Sequence, residues 1–192
     1  PPEEQVAIMR FLDWANTRLE RTIRAKRRVI ALLVEKKQTV IHRAITSGAD
    51  RGMSLKPSGV PWLGDIPKRW TVRRLKSLSQ FVTSGSRGWA RYYADTGSVF
   101  LRIGNISTTS VDLRLKRISY VNPPKDAEGE RTRALPDDLL LSITAQIGAV
   151  GVVPEGIGAA FVNQHTALIR LRNKECVPRW IAYVLLSQFG KD

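Results

Sequence analysis

The chain has 192 residues, 43% hydrophobic and 25% charged, a balance that suits one or two soluble globular units and fits neither a disordered nor a membrane class. Lys and Arg number 31 against 17 Asp and Glu, and the excess of +14 points to a polyanion as partner. Residues 1–50 carry ten basic and six acidic side chains, so most of the excess falls in 51–192. No stretch is long enough for a transmembrane helix, and the N-terminus lacks the charged-then-apolar order of a signal peptide, so a cytoplasmic protein without membrane contact is expected. The basic residues of the N-terminal segment lack the aromatic-rich apolar face of a membrane-surface helix. Cys176 is the only cysteine, which excludes an internal disulfide, and its apolar neighbours predict a buried, inert thiol. With only His42 and His165 beside it, no metal centre is expected.

In chain order, residues 1–48 read as one long helix. Pro1-Pro2-Glu3-Glu4-Gln5 opens it, with proline where a missing N–H costs least and acids where the helix dipole is positive. Thr46-Ser47-Gly48 closes it. Ile8, Leu12, Ala15, Leu19, Ile23, Ile30, Leu33, Val34 and Ile41 recur at three- and four-residue steps, predicting one apolar stripe on an otherwise charged rod of roughly 65 Å. Within the stripe, Leu12, Leu19, Ile23, Ile30 and Leu33 are the residues expected to pack on a partner helix.

Residues 49–61 have the Gly, Pro and Ser density of a linker, and a second unit is expected over 62–192. Within it, Trp70 to Leu78 predicts a strand or short helix, and 84–93 a loop. Strands are expected at Val99–Ile103, Leu115–Val121, Leu139–Ile143, Ala149–Val153 and Thr166–Leu171, each bounded by turn residues. A final helix places Trp180, Ile181, Val184 and Leu185 on one face after Pro178. The fold class is therefore α+β: a long helix, then a β-rich domain.

No catalytic constellation emerges. Val121-Asn122-Pro123-Pro124-Lys125 brushes against the Asn-Pro-Pro-aromatic motif of amino-methyltransferases, but lysine stands where the ring should be and no glycine-rich cofactor turn lies upstream. It reads as a turn. Pro136-Asp137-Asp138 lacks the acidic-x-Lys of a metal nuclease, and no Gly-x-Ser-x-Gly elbow is present. The loop at 84–93 is the stronger lead. It sets Ser86, Arg87 and Arg91 beside Trp89, Tyr92 and Tyr93, in a segment expected to be mobile through Gly85 and Gly88, a composition suited to phosphate contacts and guanine reading. Arg102, Asn105, Thr144, Gln146, Gln164 and its neighbours Asn163 and His165 stand at strand ends, where a base contact and a structural hydrogen bond are both open.

Several of these segments resemble the specificity subunit of type I restriction-modification systems. Pro1 to Gln5, Phe11-Leu12-Asp13, the Lys26-to-Lys37 stretch and Ile41 to Gly48 resemble the helix that leads from one target-recognition domain to the next. Ser58 to Trp70, with its Gly-Asp-Ile-Pro-x-x-Trp, resembles the opening of such a domain, and Leu139–Ile143, Gly148-Ala149-Val150-Gly151 and Asn163 to Leu171 its later strands. The resemblance covers nearly the whole chain. It implies a helical spacer, a coiled coil of two antiparallel helices, between two domains that each read part of a bipartite duplex DNA target. It also implies that this chain has no catalytic site or cofactor of its own. Methylation and cleavage would belong to methyltransferase and restriction-translocase subunits using S-adenosylmethionine, ATP and Mg. With one helix and one domain, the chain is expected to be an internal fragment, the central helix plus a second recognition domain truncated at its C-terminus; a naturally short half-subunit should begin with methionine. The competing readings are a stand-alone DNA-binding regulator dimerising through the long helix, which genomic neighbours would separate, and an enzyme acting alone on nucleic acid, which cofactor binding by the isolated chain would reveal.

Overall fold

The computed structural model describes residues 1–50, 52–61, 63–123, 127–145, 147–172 and 176–187. Helix α1 spans Pro2–Ser47 with Glu3 and Glu4 in its first turn. Without an internal Gly or Pro it runs unbroken for 46 residues, about 69 Å at the standard rise. It ends where expected: Gly48 adopts φ 78, the left-handed conformation that favours glycine, and its N–H donates to the Ala44 carbonyl at 3.1 Å.

The chain divides into two compact units, Pro1–Val40 and Ile41–Asp192, so the last turns of α1 belong with the β-rich part rather than with the rod. Ile45 and Thr46 are buried there, which is why the boundary falls before the helix ends. Within the rod, Leu12, Leu19, Ile23, Ile30 and Leu33 are all exposed. The apolar surface is broader than one stripe, because Phe11, Trp14, Val29 and Leu32 are exposed as well, with the Phe11 and Trp14 rings 6.1 Å apart. Both sets lie open along the rod. Among the described residues no helix is long and apolar enough to cross a membrane.

The expected linker contains structure: β1 (Leu55–Pro57) pairs antiparallel with β2 (Asp65–Pro67), burying Ile66. The segment before residue 79 is a short helix, α2 (Leu75–Leu78). Then come β3 (Ser79–Ser84), β4 (Tyr93–Ala94), β5 (Ser98–Leu101), β6 (Ser119–Val121), α3 (Ala127–Arg131), β7 (Arg133–Ala134), β8 (Leu139–Ser142), β9 (Val150–Val152), β10 (Ala160–Val162), β11 (Thr166–Leu171) and α4 (Pro178–Leu186). One sheet has the order β4-β6-β5-β10-β7, with β5 and β10 parallel; the other has the order β3-β11-β8-β9 and is antiparallel.

Alternation along the strands shows how the layers pack. Val99, Leu101, Ala160 and Val162 of the first sheet share a core with Leu140 and Leu168 of the second. The residues between them face the other way. Phe100 and Phe161 meet Trp89 on the outer side of the first sheet, while Leu139 and Ile169 meet Ala182 and Leu186 of α4 on the outer side of the second. Strands buried on both faces read as short continuous apolar runs, which is how most of them were recognisable. The inward face of α4 is centred on the buried Ala182 and Leu186, one helical turn apart, with Ile181 and Leu185 of the expected set half-buried against the same core; Trp180 lies on the surface with its ring edge-on to Trp70 at 5.4 Å. Cys176 is half-buried rather than buried.

Candidate nucleic-acid interface

Backbone hydrogen bonds gather five chain segments at one end of the two sheets. The Asn163 N–H donates to the Leu101 carbonyl at 3.1 Å, joining the chain after β10 to the end of β5. The Ser86 N–H donates to the Val162 carbonyl and the Gly85 N–H to the Thr166 carbonyl, both at 3.1 Å, bringing in the segment after β3. The Ile143 N–H donates to the His165 carbonyl at 3.1 Å, adding the loop after β8. On the far side, the Val150 N–H donates to the Ser107 carbonyl at 3.1 Å and the Arg114 N–H to the Asn105 carbonyl at 2.7 Å. Arg87, Arg102, Thr144 and Gln164, far apart in sequence, therefore stand on neighbouring loops. Arg87, Arg102 and Thr144 are exposed and Gln164 is half-buried. Gln146 lies outside the described residues.

Three other expected contact residues hold the surface up instead of facing outward. Trp89 is 3% exposed, stacked on Phe100 at 5.8 Å and packed against Phe161 at 5.7 Å and Tyr92 at 5.9 Å. Such an indole cannot stack on a base without leaving the core, so the DNA role expected of it is corrected to a packing role. Ser86 is fully buried and its hydroxyl donates to Thr132 Oγ1 at 3.1 Å. Asn105 is also buried, its Oδ1 accepting from the Arg102 N–H at 2.9 Å and its Nδ2 donating to the Arg114 and Arg117 carbonyls at 2.8 and 3.2 Å. Gly85 is not a hinge either: a Cβ there would overlap the Asn163 carbonyl, so glycine is required by close approach. Gly88, at φ 70, starts the 3-10 turn Trp89–Tyr92 that drops the indole onto the sheet.

Arg91 and Tyr92 form a pair, the guanidinium 4.8 Å from the ring centre. Arg102 reaches across to Tyr93, its Nη1 donating to the phenol oxygen at 3.4 Å and its guanidinium 5.9 Å from the ring centre. The Tyr93 ring rests edge-on against Phe100 at 5.6 Å, so a buried aromatic cluster supports the exposed Arg102.

Four further cations join this end, and the sequence reading did not single them out. Arg114, Lys116 and Arg117 are exposed on the segment that Asn105 holds. Arg131 donates to the Ser84 carbonyl at 2.6 Å and contacts the Thr83 hydroxyl, with Glu128 at 4.0 Å. The signal available was the basic run Arg114-Leu115-Lys116-Arg117, in which Leu115 packs on the core between charged neighbours. Among the described residues Arg87, Arg102, Arg114, Lys116 and Arg117 have no carboxylate within ion-pair distance, whereas Asp138 and Asp112 are taken by Arg170 and Arg179, each at 2.7 Å. Hydrogen bonding to Asp138 holds the Arg170 guanidinium above its ordinary pKa. Asp138, with Asp137 at φ 69, closes a turn by accepting from the Leu135 N–H at 2.8 Å, so Pro136-Asp137-Asp138 is a structural corner. Asn122 extends the β4–β6 pairing by one residue, its N–H donating to the Tyr92 carbonyl at 2.9 Å; Pro124 and Lys125, on which the expected turn depends, lie outside the described residues.

This end thus presents exposed cations at its rim with neutral hydrogen-bonding side chains among them. Cations position a phosphate backbone, and Arg, Gln and Thr read base edges. Among the described residues no group of three or more His, Cys, Asp or Glu is placed to hold a metal.

No protein-family model matches the chain, and no curated protein does. Solved structures do. One is a chain from a structure of the assembly and conformational transition of a type I R-M system, 18% identical, with a TM-score of 0.55 over 90% of this chain and 38% of that one. Another is the HsdS subunit from Thermoanaerobacter tengcongensis, 19% identical, with a TM-score of 0.52 over 87% of this chain and 37% of that one. The long helix followed by a β-rich region is their fold, and the chain spans under two fifths of the length of either.

Proposed function

We propose that the chain is part of the DNA-recognition subunit of a type I restriction-modification system, reading one half of a bipartite target and directing partner subunits to methylate or cleave. The observation that carries this reading is the convergence of Arg87, Arg102, Thr144 and Gln164 on one end of the two sheets, beside the exposed cations Arg114, Lys116 and Arg117. The fold shared with the HsdS subunit supports it, as does the +14 charge. Chemistry then belongs to the partners, methyltransferase subunits using S-adenosylmethionine and a translocase using ATP and Mg. The exposed apolar rod is the spacer, packed in the assembled protein on a second helix through Leu12, Leu19, Ile23, Ile30 and Leu33.

The test is reconstitution. The intact subunit containing this chain should co-purify with its methyltransferase partner, and the pair should transfer methyl groups from S-adenosylmethionine to duplex DNA at a defined sequence. Methylation by the partner alone at the same sequence contradicts the reading, as does transfer by the isolated chain.

A further inference from the structure

Asn105 is 5% exposed and ends the 3-10 turn Ile103–Asn105 that follows β5. Its side chain makes three hydrogen bonds, accepting from the Arg102 N–H at 2.9 Å and donating to the carbonyls of Arg114 at 2.8 Å and Arg117 at 3.2 Å. Its own carbonyl accepts from the Arg114 N–H at 2.7 Å. One amide thus ties the root of Arg102 to both ends of the non-strand segment 114–117. The two carbonyls that it satisfies belong to residues whose side chains are exposed, so the amide fixes the backbone from which those side chains project. Leu115 anchors the same segment in the core, and Arg114 Nη2 donates to Ser107 Oγ at 2.9 Å.

We propose that Asn105 is a positioning residue, holding Arg114, Lys116 and Arg117 as a rigid phosphate-contacting arm beside Arg102. The arm fixes the register of the duplex backbone on the strand-end surface. Freed from the clasp, the same three cations would face the duplex only part of the time, and their contribution to counterion release would fall. The inference rests on the DNA-recognition reading above.

The experiment measures binding of the intact subunit to a pool of random-sequence duplexes as a function of salt. Each phosphate contact contributes about −0.9 to the slope of log affinity against log salt. Replacing Arg114, Lys116 and Arg117 together by Ala should make the slope shallower by roughly 2 to 3, whereas replacing Lys68, Arg69 and Lys76, which are exposed outside the strand-end segments, should leave it unchanged. Asn105→Ala should reproduce much of the first loss with all three cations still present, and Asn105→Ala added to the triple variant should change the slope no further. Partial unfolding lowers the active fraction and not the slope, so a fold defect does not mimic this result. Should Asn105→Ala fail to fold, Asn105→Leu keeps the side-chain volume, loses all three hydrogen bonds without adding charge, and should give the same shallow slope. An unchanged slope in the triple variant overturns the arm; a full slope in folded Asn105→Ala or Asn105→Leu overturns the clasp. Salt-independent binding by the unaltered protein would instead sink the DNA-recognition reading itself.

Discussion

The Asn163 N–H is bonded to the Leu101 carbonyl at 3.1 Å, and this contact lets Arg102 and Gln164 serve one surface. Strands β5 and β10 run parallel with Val162 beside Leu101, so the chain leaves both strands at the same level. The loops at the carboxyl ends of parallel strands are where open sheets bind ligands. Arg102 and Gln164 are the first side chains beyond that shared level that are free to reach outward.

Truncating Arg102 to Ala should therefore weaken binding of the recognised duplex by about 1–3 kcal/mol if it reads a base, while leaving the denaturation midpoint unchanged, because the side chain is exposed. Fluorescence anisotropy and a urea melt, run on the same preparation, check both halves.

Trp89→Ala should behave in the opposite way. Its ring fills the space between Phe100, Phe161 and Tyr92, so truncation should cost roughly 3–5 kcal/mol of stability through the cavity left behind. A melt at the unaltered midpoint, with DNA binding lost, would return the indole to the interface.

Gly85→Ala tests the close approach of two segments. The added methyl would meet the Asn163 carbonyl and push the residues after β3 away from β10, costing about 1–3 kcal/mol as overpacking does. Gly88→Ala meets nothing within 4 Å and is strained only through its φ of 70, about 1–2 kcal/mol. Chemical denaturation of the two variants should rank them in that order.

The rod makes a separate prediction. Leu19 and Ile30 are 58% and 61% exposed, so Leu19→Glu or Ile30→Glu should leave the helix intact by circular dichroism. In the assembled protein the same change buries an unpaired charge and should break assembly, seen as a shift in sedimentation. Inserting about seven residues, two helical turns, in both spacer helices should separate the two recognised half-sequences by roughly three more base pairs, since the rise is about 1.5 Å per residue in the helix and 3.4 Å per base pair in DNA.

How much of this was legible in the sequence follows from what each residue is tied to. The long helix was readable because nothing between Pro2 and Gly48 interrupts it, and β11 fell at Thr166–Leu171 as expected because its apolar run is bounded by turn residues. Strand β10, Ala160–Val162, is not among the expected strands: its run follows Gly158 and opens on Ala159-Ala160, residues of low strand propensity. The candidate site is legible in part. Arg87 stands out in the glycine-flanked loop and Arg102, Thr144 and Gln164 at strand ends, but Trp89 and Asn105 look equally suited to DNA in a linear reading. Only the packing of Phe100 and Phe161 under the indole, and of the 114–117 segment over the amide, distinguishes support from contact. Arg131 is hidden for the same reason, since it reaches this end through Ser84, which is 47 residues away in sequence.

The most direct test of the central claim is to sequence the DNA methylated in cells carrying the intact subunit and its methyltransferase, with Arg87, Arg102 and Gln164 unaltered or replaced by Ala. A surface that reads one half of a bipartite target predicts that the replacements relax or abolish specificity in one half-sequence while the other half and the spacing persist. Loss of both halves together in a folded, assembled subunit, or methylation at an unchanged target, would contradict it.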